Sequence, residues 1–241
     1  MSEFTIRAKG LGKKFSGTGL HPSRAMHDLF ERMIRGSFTK PNDFWALRDV
    51  SFDVRHGESI GIVGSNGAGK SILLKILSRV TAPTEGRAEI FGHIAPLLEV
   101  GAGFHPELSG RENVYFNGAI LGMGREEVRR NFDEIVAFSE IEAFIDTPIK
   151  LYSSGMRMRL AFSVAAHLDS DILVIDEAFA VGDANFRAKC RRKIVEFIDR
   201  GCTLLLVSHD TAVISELCER AILLEHGRMI ADGPTAEILK R

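Results

Sequence analysis

The 241-residue sequence has only three cysteines, Cys190, Cys202 and Cys218. They are odd in number and form no C-x-x-C, which excludes a disulfide framework and suits reduced thiols in a cytoplasmic protein. Charge of one sign is also lacking: the formal net charge is −1, so no global basicity points to nucleic acid. No apolar run approaches the roughly 18–20 residues that span a bilayer. The start, Met1 to Thr5, has no basic-then-apolar leader. His56, His93, His105, His167 and His226 are scattered, and none stands in a metal-ligand cluster. Internal repeats and low-complexity tracts are missing as well. A single cytoplasmic globular chain, with one domain or a domain and a subdomain, is what these absences leave.

Against that background one stretch stands out. Ile60 to Val63 is an apolar strand that breaks into Gly64-Ser65-Asn66-Gly67-Ala68-Gly69-Lys70-Ser71, which runs straight into a helix-forming segment ending near Leu77. G-x-x-x-x-G-K-S between a strand and a helix is the P-loop pattern. Glycines let successive N–H groups turn inward on phosphate oxygens, and the positive end of the helix favours the anion. Lys70 would reach the β- and γ-phosphates, and the Ser71 hydroxyl would ligate Mg²⁺. The sequence therefore predicts a nucleotide triphosphatase.

Around this loop the chain alternates. Phe4 to Lys13 and Ala46 to Val54 read as strands, with Phe15 just beyond the first. The segment Ser16 to Phe44 between them has Met26, Leu29, Phe30, Met33 and Ile34 at helical spacing. It is either a surface helix packed on its own domain or a docking element for a partner or a membrane surface. Short strands are expected at Arg87 to Phe91 and Ile94 to Val100. A helical region from Ser109 to Phe144, opened by the capping-box pair Ser109 and Glu112, looks like an insertion. Ile172 to Ile175 and Thr203 to Val207 are continuous apolar runs of buried parallel strands. The end reads as a hairpin turning at His226-Gly227, then a short helix. The fold class expected is α/β: a P-loop core with a mainly parallel sheet, an N-terminal antiparallel β part and an inserted α-helical subdomain.

Three further groups carry chemistry. Asp176 and Glu177 follow directly on the apolar run at Ile172. A carboxylate there suits a Mg²⁺ partner, and the second acid could orient or deprotonate the attacking water, a gain of roughly 10²–10⁴-fold. His209 ends the next buried strand, where it could meet the γ-phosphate or serve only structure. Ser153, Ser154 and Gly155 precede an apolar helix and make a second possible anion site, or simply a cap.

In this order the motifs resemble the nucleotide-binding domain of ABC ATPases, over essentially the whole chain. The resemblance implies one ATPase domain over 1–241, with 1–100 and 160–241 as the α/β core, an insertion at about 16–44, and a helical subdomain at about 101–159. Gly64, Ser65, Asn66, Gly67, Ala68, Gly69, Lys70 and Ser71 become the Walker A loop. Asp176 becomes the Walker B aspartate, Glu177 the catalytic base, and His209 the switch histidine. Ser153 and Gly155 fall in the signature loop and Asp183 in the D-loop. ATP and Mg²⁺ are the implied cofactors. Two copies would face each other head to tail, each signature loop closing on the other's ATP. Phe15 is the expected adenine-stacking residue, with His21 or Trp45 as substitutes.

Departures from the usual pattern narrow the branch. The signature reads Tyr152-Ser153-Ser154-Gly155-Met156, the Q-loop glutamine position falls at Glu99 or Val100, and Ala178 to Asp183 lacks the common proline. With Phe44-Trp45-Ala46-Leu47 and Arg111-Glu112-Asn113-Val114, this is similar to exporters of O-antigen, capsule and teichoic acid. Glu99 is the expected stand-in on Mg²⁺. The implied setting is the cytoplasmic face of the inner membrane, held peripherally by a polytopic permease that contacts the glycan. Ending at Arg241, the chain is expected to be a form without a carbohydrate-binding domain or a shortened one. A soluble ABC ATPase of DNA repair is disfavoured by the short helical region without sustained heptads, and a GTPase by the lack of Asn-Lys-x-Asp.

Overall fold

Apolar residues alternate along the central strands, and the two sets end in two separate cores. In the computed structural model, which describes residues 3–15, 43–97, 103–176 and 183–240, the larger sheet is six-stranded. Its strands are β3 (Ser59–Val63), β5 (Ile94–Leu97), β6 (Ile172–Asp176), β7 (Thr203–Val207), β8 (Arg220–Glu225) and β9 (Arg228–Pro234), in the order β5-β6-β7-β3-β8-β9. All neighbours are parallel except β8 and β9, which form an antiparallel hairpin. Ile172, Val174, Leu205 and Val207 turn to one face with Ile60 and Ile62. There they meet α1 (Lys70–Leu77) through Leu73, Leu74 and Leu77. Leu173, Ile175, Leu204 and Leu206 turn to the other face. Period-two side chains on a strand buried from both sides explain the continuous apolar runs.

A second, three-stranded antiparallel sheet, β2-β1-β4, closes over α1. It comprises β1 (Phe4–Phe15), β2 (Phe44–Arg55) and β4 (Glu85–Ile90). The N-terminal antiparallel part expected from sequence is present, and β1 runs on through Phe15 instead of stopping before it. Most of Ser16 to Phe44, including the amphipathic stretch and His21, lies outside the described residues, as do Leu98 to Ala102 and Glu177 to Gly182.

On the opposite face of the large sheet pack α2 (Gly110–Ile120), α3 (Arg125–Ser139), α4 (Ser154–Ala165) and α5 (Ala184–Asp199). Helix α2 starts where the capping box predicts: the Ser109 hydroxyl accepts from the Glu112 N–H, and the Glu112 carboxylate accepts from the Ser109 N–H at 2.8 Å. α3 ends at Glu140, held in the left-handed region at φ 57°. Phe162 of α4 and Phe186 of α5 are fully buried and meet edge to face, 6.3 Å between ring centroids. Truncating Phe162 to alanine would cost about 3–5 kcal/mol. Short helices α6 (Thr211–Leu217) and α7 (Thr235–Ile238) complete the chain.

Candidate functional site: the phosphate loop and its sheet edge

The loop after β3 is shaped by contacts that leave no room for side chains. Gly64 has φ 146°, and a Cβ there would stand 2.1 Å from the Leu224 carbonyl oxygen. Gly69 has φ 103°, with the Ala46 carbonyl 2.5 Å from the place of its Cβ. Only glycine fits both the conformation and the space. Gly69 is also the N-cap of α1 and supplies no side-chain hydrogen bond, so the first N–H groups of that helix have no side-chain cap. Uncapped N–H donors at the positive end of a helix are what a phosphate needs. The Lys70 side chain folds back over the loop, and its ammonium donates to the carbonyls of Gly64 at 2.8 Å and Ser65 at 3.0 Å.

A cleft of about 370 Å³ opens beside this loop. Asn66 to Ser71 form one wall, and Phe15, Phe44 and Ala46 form the other. Phe15 and Phe44 are direct cross-strand partners at the ends of β1 and β2, and both are exposed. Phe15 thus lines the cleft beside the phosphate loop. Trp45 does not line the cleft; it sits between Lys14 and Arg48, 5.7 and 5.6 Å from its ring. Alternation explains this, because Phe44 and Ala46 share one face of β2 and Trp45 takes the other. Phe44 was not among the expected site residues. Extending the period-two pattern of β2 two residues back from Ala46 would have found it.

Asp176 and His209 arrive at the same edge by strand register. Asp176 pairs with Val207, which also pairs with Ile62, two residues before Gly64. Strand spacing then sets the Asp176 backbone roughly 10 Å from β3. The acidic strand is not the immediate neighbour of the loop strand; β7, buried on both faces and paired along both edges, lies between them. His209, two residues past Val207, is exposed at this edge. Ser71 and Asp176 offer a hydroxyl and a carboxylate, an oxygen donor set that fits a hard divalent cation. Glu177 and Glu99, the expected base and Q-loop substitute, fall outside the described residues.

Ser153, Gly155 and Asp183 form a second group, and none of them lines the cleft. Ser153 is the N-cap of α4, its hydroxyl accepting from the Met156 N–H at 3.1 Å. Ser154 and Gly155 therefore belong to the first helical turn and do not precede it. Behind Ser153, buried Tyr152 donates its hydroxyl to the Phe144 carbonyl at 2.7 Å. The fully buried Asn113 clamps the 105–109 loop, which is bonded in turn to the 149–150 backbone leading into Tyr152. Asp183 caps α5 by accepting from the Phe186 N–H at 2.9 Å, and Arg159 of α4 grips its other oxygen at 2.6 Å. The Phe186 N–H, then the Arg159 charge, hold this carboxyl below its ordinary range. Arg159 also reaches Glu140 at 2.7 Å, so α3, α4 and α5 meet at one guanidinium.

Comparisons with known proteins agree with this geometry. A family model described as ABC transporter matches residues 47–180. The chain is 42% identical over 234 residues to a teichoic acids export ATP-binding protein of Lactococcus lactis, covering 97% of this chain and 49% of that one. An O-antigen export system ATP-binding protein of Klebsiella pneumoniae is 41% identical, over 95% of this chain and 89% of its own. The chain thus spans about half the length of the first relative and most of the second. Among solved structures, the dimeric post-hydrolysis state of the ATP-binding cassette MJ0796 bound to ADP and Pi superposes with a TM-score of 0.74 at 21% identity, covering 95% of this chain and 98% of that one. With the phosphate loop, the acidic strand end and the Ser153 helix start arranged on this fold, the protein belongs to the ABC transporter family.

Proposed function

We propose that this chain is the ATP-binding and hydrolysing subunit of an ABC exporter that moves a lipid-linked polysaccharide, such as O-antigen, capsule or teichoic acid, across the inner membrane. The observation that carries the ATPase reading is the cleft itself: an uncapped helix N-terminus with Lys70 on one side and an aromatic pair on the other. The polymer class is supported by the names of relatives at 41% and 42% identity.

In this reading the residues divide the work. N–H groups of the loop from Gly64 to Ser71 and the Lys70 ammonium bind the triphosphate, while Phe15 and Phe44 stack on the base. Ser71 and Asp176 would hold Mg²⁺, with Glu99 added by family likeness; when bound, the ion neutralises charge on the phosphate oxygens. Glu177 takes a proton from the attacking water, and His209 bonds the γ-phosphate. Ser153, Gly155 and Asp183 act on the nucleotide of a second copy, which their position outside the cleft supports. No helix among the described residues is long and apolar enough to cross a membrane. Peripheral attachment to a polytopic permease on the cytoplasmic side accords with that, with the glycan contacted through the permease. The chain works as a single ATPase domain, its helical part at about 101–159.

Glu177→Gln tests the reading. The variant should bind ATP, lose turnover and accumulate as a dimer; wild-type turnover would remove Glu177 from the role of base. Deleting Arg24 to Arg35 should spare basal hydrolysis and abolish co-purification with the permease, and normal assembly would return that segment to a structural role.

A further inference from the structure

The β8–β9 hairpin turns at His226-Gly227, and its tip is wedged between the phosphate loop and β2. The Gly227 N–H donates to the Ala68 carbonyl of the loop at 3.0 Å, and the Gly227 carbonyl accepts from the Arg48 N–H of β2 at 2.8 Å. Gly227 has φ 77°, and a Cβ there would meet the Ala46 carbonyl oxygen at 2.8 Å and the Leu47 Cα at 3.2 Å. The same Ala46 carbonyl lies against Gly69, and the Leu224 carbonyl of the hairpin lies against Gly64. One turn therefore contacts both walls of the cleft: Ala68 on the phosphate side, and Ala46 with its neighbours on the aromatic side. His226 is itself held in the left-handed region, at φ 48°.

We infer that this hairpin tip is a spacer that fixes the distance between the triphosphate cradle and the aromatic base platform, with Gly227 as the positioning residue. Both hydrogen bonds of Gly227 run backbone to backbone, and the atoms nearest the place of its Cβ are backbone too, so these contacts cannot relax by a change of rotamer. A side chain at Gly227 pushes on Ala46 and Leu47, two and three residues on from Phe44 in β2, and leaves the Ala68 bond in place. The platform shifts further than the cradle, which the Ala68 bond and the carbonyl against Gly64 still hold. A nucleotide that must reach both then suffers more than a ligand that uses only the cradle.

The inference rests on the reading of Phe15 and Phe44 as the base platform, and its test separates the two. Binding of ATP and of inorganic tripolyphosphate is measured for the full chain and for Gly227→Ala, Gly233→Ala and Phe44→Ala. Gly233 lies on β9 with nothing within 4 Å of the place of its Cβ, so its variant should match the parent in both affinities. Phe44→Ala should weaken ATP about tenfold, within the range for losing a stacked base, and leave tripolyphosphate within about twofold. Gly227→Ala should show the same split, and in the Phe44→Ala background it should add little further loss for ATP. Equal loss of both ligands in Gly227→Ala, or additive loss in the double variant, would overturn the spacer role. An unchanged ratio in Phe44→Ala would instead overturn the platform. If Gly227→Ala does not fold, His226→Gly frees the same turn without adding an atom. About threefold weaker ATP at constant tripolyphosphate affinity supports the spacer, and unchanged ATP affinity refutes it.

Discussion

The phosphate loop and the start of α4 both lead into helix N-termini, yet they are built in opposite ways. At α1 the cap is Gly69, which supplies no side-chain bond, and the loop is locked by backbone carbonyls pressed against Gly64 and Gly69. At α4 the Ser153 hydroxyl satisfies its own helix turn and is exposed, and the Asp183 carboxylate that Arg159 holds is exposed too. One end is a cradle complete within a single chain. The other is a presented surface, held by side chains and a capping hydroxyl, whose groups do not line the cleft of their own chain. Rigid backbone suits an anion that must be gripped; side-chain anchoring suits the role we propose for the second end, acting on the nucleotide of a second copy.

The largest expected effect falls on the cradle. Lys70→Ala should lower ATP hydrolysis by about 10²–10³-fold, as loss of a preorganised cation at a developing charge does, and should also weaken ATP binding. Residual activity near wild type would break the contrast at its first half. Ser153→Arg should block hydrolysis as thoroughly while the monomer binds ATP normally. Mixing the two inactive variants should then recover activity, because one mixed site keeps an intact cradle and an intact α4 start. No recovery at any ratio would mean the two ends do not serve one shared site.

A smaller effect tests how the second end is held. Arg159→Met removes the ion pairs to Asp183 and Glu140, whose carboxylates are largely exposed, so the stability cost should be only about 1 kcal/mol. A melting temperature lower by about 2–4 °C would match that. Hydrolysis should fall severalfold with ATP affinity unchanged, and a loss of affinity would tie Arg159 to the first cleft instead. The smallest effect lies away from both ends. His167 has its imidazole pKa lowered, chiefly by burial, from the ordinary 6.5. Below pH 6.5 the unfolded chain binds the proton more readily, so this group's contribution to stability is lost as pH falls. Melting followed from pH 7 to 5.5 should show a shallower decline in His167→Gln than in the parent, with nucleotide binding at pH 7 untouched.

Local chemistry was enough for much of this molecule. The phosphate loop, the buried runs of β6 and β7, the capping box at Ser109 and the turn at His226-Gly227 are all set by neighbours a few residues apart. Their periods and cap residues could therefore be read directly from the sequence, as could the antiparallel part and the helical insertion. Motif order then carried the family resemblance. What sequence could not supply was anything set by pairing across long separations. The place of β7 between β3 and β6 depends on which apolar strand fills the middle of the sheet, and short apolar runs of similar length do not say. Phe44 became a cleft residue only because β2 pairs it with Phe15 across 28 intervening residues. Likewise the wedge of Gly227 between Ala68 and Arg48 rests on backbone contacts, and these leave no mark in composition or period beyond a glycine in a turn. The sequence determined that there would be a phosphate loop; the tertiary structure decided what stands on either side of it.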